Sequence, residues 1–124
     1  MGKRIVYVID DDVAVRDSFH VLLEANDLDV RSYASSETFL NDTPPLQNSC
    51  LVIDVNMPDL DGIDLLSRLR RNHITSPAIL MTGGGVTASL LSFRDRTGVV
   101  LLEKPIVAHE FVTHVKRALD DSRS

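Results

Sequence analysis

Four aliphatic runs of this 124-residue chain end in polar side chains that could do chemistry together. The first closes on Asp10-Asp11-Asp12, the second on Asp54, the third on Thr82 and the fourth on Glu103-Lys104-Pro105. A carboxylate at the end of a buried strand is costly to ionise, so Asp54 is either a local cap or part of a site. If the four ends meet, two carboxylates at ~4 Å repel by about 4 kcal/mol in an effective dielectric near 20, and a cation is needed. Every candidate ligand is an oxygen, with no cysteine or histidine beside it, which points to a hard ion, Mg2+ or Mn2+, rather than Zn2+. A carboxylate beside such an ion can attack phosphorus, while a hydroxyl and an ammonium neutralise the oxygens of the transferred group. Asp54, Thr82 and Lys104 supply that set, with Asp54 as the phosphoryl acceptor.

The elements that must position these residues alternate short aliphatic runs with helical periods five times over, the pattern of a parallel sheet wrapped by helices. Residues 4–9 (RIVYVI) read as a strand covered on both faces, followed by a helix with Val15, Phe19, Leu22 and Leu23 on one side. Residues 28–33 form a second strand, and Ser35 or Ser36 caps a short helix carrying Phe39 and Leu40 that Thr43-Pro44-Pro45 ends. Residues 50–55 are the third and most buried strand, and Met57-Pro58 and Asp61-Gly62 make the turn after it. Ile63, Leu66 and Leu69 mark the third helix, 77–81 the fourth strand, 82–85 a loop and 86–96 the fourth helix. The fifth strand is 99–102, and Phe111, Val112, Val115 and Leu119 define the last helix. Right-handed crossovers make this a doubly wound sheet, which binds ligands outside the C-terminal ends of its strands, where all four polar groups lie.

One domain fits the length. At 44% hydrophobic and 25% charged residues, the chain is neither disordered nor membrane-embedded in composition, and no apolar run approaches the roughly 18 residues of a span. Met-Gly-Lys-Arg leads into a strand rather than a signal peptide, so a cytoplasmic location is expected. The single cysteine, Cys50, reads as a small buried apolar residue. A net charge of -5 opposes nucleic-acid binding by this chain, and Arg68, Arg70 and Arg71 suit the last turn of a helix.

The segments VYVIDDD, LVIDVNMPDLDG, ILMTGGG and LLEKP occur in the order and spacing of the receiver domain of bacterial two-component response regulators, which the whole chain resembles. VRDSFHVLL, SSETFL and MTGGG are similar to its FixJ-type branch in particular. The resemblance implies a flavodoxin-like (βα)5 fold with strand order 2-1-3-4-5. It also implies that Asp10, Asp11, Asp54 and the backbone carbonyl of Asn56 hold the metal, Asp10 mainly through water. Asp54 takes the phosphoryl group, the Thr82 hydroxyl and Gly83 N–H hold the phosphate, Lys104 pairs with it, and the Lys104-Pro105 bond is cis. The partner is a sensor histidine kinase or phosphotransfer protein. Phosphorylation is read at the face of the fourth helix, fifth strand and fifth helix, through a homodimer, a protein partner or a DNA-binding output domain. The protein is then a phosphoacceptor, with at most self-directed phosphotransfer and autodephosphorylation, rather than an enzyme.

Asp12 directly precedes the first helix and reads as its cap, outside the site. Gly83 to Gly85 fits neither phosphate-loop pattern and reads as a turn leaving room for phosphate. His20, His73, His109 and His114 share no ligand spacing. The chain departs from the receiver pattern at Leu101, where an aromatic residue is common, and also at 96–99, Val86 and Ile106. No output segment is expected after RALDDSRS, making 1–124 a single receiver, either a stand-alone regulator or an excised domain. Two other functions compete. A haloacid-dehalogenase-type phosphatase would need an acid where Asn56 stands, and a phosphorylation-independent interaction domain would not need the complete acid and lysine set.

Overall fold

A computed structural model describes residues 4–42 and 44–121. Five strands, β1 (Ile5–Ile9), β2 (Asp29–Tyr33), β3 (Ser49–Asp54), β4 (Ala78–Thr82) and β5 (Val100–Glu103), alternate with five helices, α1 (Val13–Glu24), α2 (Ser36–Asp42), α3 (Gly62–Arg71), α4 (Ala88–Thr97) and α5 (Ala108–Asp121). The strands form one parallel sheet in the order β2-β1-β3-β4-β5. Pairing of Ile9 with Ile53, Asp54 with Met81 and Thr82 with Glu103 aligns the strand ends, so the polar residues that follow them share one edge.

Both faces of the sheet are covered. On one side Phe19, Leu23, Phe111, Val115 and Leu119 of α1 and α5 pack on Val6, Val8, Val52 and Ile79. On the other, Phe39, Leu65, Leu66, Leu69, Leu90 and Phe93 of α2, α3 and α4 pack on Tyr7, Ile9, Leu51, Ile53 and Leu80. β3 is central and buried at every position, which is why its sequence is a continuous aliphatic run rather than an alternation.

Local chemistry moved several expected boundaries. α4 begins at Ala88 rather than Val86, because the Thr87 hydroxyl caps it by accepting the Leu90 N–H at 3.2 Å. At α2 the choice resolves to Ser35, whose hydroxyl accepts the Thr38 N–H at 3.1 Å, while Ser36 donates to the Leu60 carbonyl at 2.7 Å. Asp61 caps α3 through the Asp64 N–H, and Gly62 is its first residue rather than part of a turn. β3 runs from Ser49 to Asp54, one residue earlier than expected, leaving Val55 just beyond it. Leu65, which the periodicity overlooked, is fully buried on α3. Thr43 lies outside the described residues. On α4, Leu90 and Phe93 are buried in the core, and Leu91 is exposed. Among the described residues, no helix is long and apolar enough to cross a membrane.

Candidate functional site

Asp10 continues β1 by donating its N–H to the Tyr33 carbonyl at 3.1 Å. Its side chain is fully buried and held twice, Oδ1 accepting from the Asp12 N–H at 2.9 Å and Oδ2 from Lys104 Nζ at 3.0 Å. Asp12 caps α1 as its position implied, accepting from the N–H groups of Ala14 and Val15. The chain therefore turns sharply after Asp10, which leaves Asp11 exposed beside the buried acid.

Asp54 ends β3 and is 4% exposed. Its Oδ1 accepts the Asn56 N–H at 3.2 Å and lies 3.7 Å from Lys104 Nζ. Burial and the neighbouring Asp10 push its carboxyl above the usual carboxylate range, against the opposing effects of the Asn56 N–H and Lys104. Lys104 follows β5, and its N–H returns to the Thr82 carbonyl at 2.8 Å. Burial disfavours its charge, yet the hydrogen bond and charge of Asp10, with Asp54 and Asp12 behind, hold its ammonium above the ordinary lysine value. The Lys104-Pro105 bond is cis.

Thr82 ends β4 with its hydroxyl donating to the Gly85 carbonyl at 3.1 Å and accepting from Asn56 Nδ2 at 3.4 Å. The hydroxyl is thus engaged by its own loop and by the loop after β3. A side chain at Gly83 would meet the Lys104 stem at 3.5 Å, and one at Gly84 the Asn56 amide at 3.5 Å. Gly85, at φ +87°, needs glycine's backbone freedom.

Asp10, Asp11 and Asp54 each offer a carboxylate oxygen, and these lie within 4.8 Å of one another; no other such group of His, Cys, Asp and Glu occurs among the described residues. The donor set fits a hard divalent ion. All its atoms are oxygens, and the exposed Asp11 leaves one side open for the waters such an ion retains. Burial first and then the charge of Asp10 hold the Asp54 carboxyl up despite Lys104, and a cation among the three acids would oppose both. Sequence reasoning missed Arg16, which reaches back from α1 to donate from Nη1 to the Asp10 main-chain carbonyl at 2.7 Å. Its one available signal was a basic residue on the turn of helix that follows three acids. Cys50 is buried among apolar residues as expected, remote in chemistry from the acids.

Comparison with known proteins gives a consistent likeness. A family model described as the response regulator receiver domain matches residues 6–116. The chain is 36% identical over 114 residues to the transcriptional regulatory protein FixJ of Bradyrhizobium diazoefficiens, covering 92% of this chain and 56% of that protein. It is 34% identical over 121 residues to nodulation protein W of the same species, covering 98% of this chain and 53% of that protein. The chain thus spans about half the length of the curated relatives it matches. The crystal structure of FixJ-N superposes with a TM-score of 0.84 at 32% identity, covering 97% of this chain and 96% of that one.

Proposed function

Because this chain belongs to the response regulator receiver family, in its FixJ-like branch, we propose that Asp54 accepts a phosphoryl group from a sensor histidine kinase or phosphotransfer protein. The observation that carries the assignment is the juxtaposition at the sheet edge of a buried, raised carboxyl, two further acids and one lysine that touches both buried acids.

In the transfer, a carboxylate oxygen of Asp54 attacks phosphorus, an O–P bond forms, and the bond to the donor imidazole breaks with its electron pair leaving on nitrogen. Asp10, Asp11, Asp54 and the Asn56 carbonyl would hold Mg2+, or Mn2+ in its place. When bound, the ion supplies positive charge against the transferred oxygens. Lys104 shifts from the carboxylates toward the phosphate, the Thr82 hydroxyl leaves the Gly85 carbonyl to donate to a phosphate oxygen, and the Gly83 N–H donates to another. Those last two movements displace the loop before α4.

The resulting change is read at the α4, β5 and α5 face, where Val86, Leu91 and Val107 are exposed. A homodimer or an output module reads that face, and the FixJ relative's description as a transcriptional regulatory protein supports transcription control. The chain acts as one receiver module in the cytoplasm, and any loss of phosphate is self-directed hydrolysis of its own acyl phosphate. A phosphatase acting on free esters is not favoured, because Asn56 offers no acid two residues after Asp54. Incubation with acetyl phosphate and Mg2+ should give a single phosphoryl adduct by intact mass, absent from Asp54→Asn. No adduct in the native protein, or an adduct that survives the substitution, overturns the assignment.

A further inference from the structure

We propose that Arg16 is a positioning residue for the metal site, its guanidinium fixing the turn that carries Asp10 and Asp11; the inference rests on the metal role proposed above. Arg16 is half-buried near the start of α1, and its Nη1 meets the Asp10 carbonyl oxygen at 2.7 Å, the short distance of a charge-assisted bond. Asp10 is consequently held at four points. Its N–H goes to Tyr33, its carbonyl to Arg16, Oδ1 to the Asp12 N–H and Oδ2 to Lys104.

These four contacts respond differently to a cation. An ion at the acid cluster competes with Lys104, because both seek carboxylate oxygens. Arg16 grips a main-chain oxygen instead, so its contact persists with or without the ion and consumes no ligand atom. Asp11 is the donor that gains most from this. It is exposed, and its orientation depends on the backbone immediately after Asp10.

Arg16 also carries a charge that repels a divalent ion, so its two effects oppose. The repulsion is screened because the guanidinium is partly solvated. Loss of an outer partner that orients a metal ligand costs roughly 10–100-fold in affinity. The orienting effect therefore dominates, and the lower end of that range applies because Arg16 acts through backbone.

Calorimetric titration with Mg2+, well below the thermal midpoint, tests this on native protein, R16M and R16K. R16M should bind about tenfold more weakly. R16K, which keeps a donor of similar reach, should recover most of the affinity, and acetyl phosphate should label R16M normally once Mg2+ is saturating. Should R16M not fold, R16Q reports the same loss. Native-like or tighter Mg2+ binding by R16M, or no recovery in R16K, overturns the proposal alone. Failure of the native protein to bind Mg2+ overturns the metal reading itself and this inference with it.

Discussion

Lys104 Nζ lies 3.0 Å from an Asp10 oxygen and 3.7 Å from an Asp54 oxygen, so the lysine is held closer to the acid turn after β1 than to the carboxylate at the end of β3. It serves as the counter-charge of a crowded acid cluster. The same ammonium is one of the influences that lower the Asp54 carboxyl against burial and Asp10.

Lys104→Met should therefore push Asp54 still further above the usual carboxylate range, an upward shift readable in the carbon-13 titration of its carboxyl. Adduct formation from acetyl phosphate should slow by about a hundredfold, the scale of losing one preorganised charge contact. Mg2+ affinity should not fall, because the lysine competes for the same oxygens. A fall in Mg2+ affinity would show that Lys104 organises the acids rather than competing with the ion.

The raised Asp54 carboxyl also sets a pH dependence. In the native state it binds a proton at pH values where the unfolded chain has released it. Between the ordinary value near 4 and the raised value, stability therefore falls as pH rises. At neutral pH the ionised group is a burden on the metal-free protein. Asp54→Asn should raise stability there by about 1 kcal/mol, or roughly 4 °C in thermal midpoint for this size. The gain should vanish below pH 4 and shrink in Mg2+, and thermal scans across pH with and without Mg2+ check both.

Gly62 shows how closely α3 is seated against the strand that bears Asp54. A Cβ there would stand 2.7 Å from the Asp54 carbonyl oxygen and 2.9 Å from Ile53 Cγ2, and a backbone oxygen cannot swing aside. Gly62→Ala should cost about 1–3 kcal/mol, as overpacking does, despite alanine's better helix propensity. Urea unfolding measures it, and a neutral or stabilising result would mean α3 can shift without cost.

What the sequence made legible follows from which physics leaves a residue signature. Burial on both faces wrote the β1, β3 and β4 runs in aliphatic residues, and parallel topology then placed Asp10, Asp54, Thr82 and Lys104 on one edge without any knowledge of contacts. Side-chain bonds to backbone leave no comparable mark. Arg16 on the Asp10 carbonyl, Ser36 on Leu60 and Thr82 on Gly85 each require the final path of the main chain. Leu65 escaped because α3 buries adjacent Leu65 and Leu66 together, where the expected stripe needed only one.

Cys50 offers an internal reporter on the strand that ends in Asp54. It is fully buried, and burial pushes its thiol up to about 12, so the native protein presents no thiolate to a reagent at neutral pH. Its pairing position opposite Val6 lies in the middle of the sheet, where access requires an opening that separates β3 from its neighbours. Labelling should therefore follow the population of that opened state when closing outpaces reaction. If Asp10, Asp11 and Asp54 hold the proposed ion, it would tie β1 to β3 only in the closed form, and binding to the native state alone reduces the open population by the factor 1 + [Mg2+]/Kd. At tenfold excess over Kd, labelling by an aromatic disulfide reagent should slow about elevenfold. In Asp54→Asn, which removes one of the three carboxylates, the effect of Mg2+ should be much smaller. Rapid labelling of the native protein would contradict the burial of Cys50, and Mg2+-independent labelling of a protein that binds Mg2+ would show that the ion does not join these two strands.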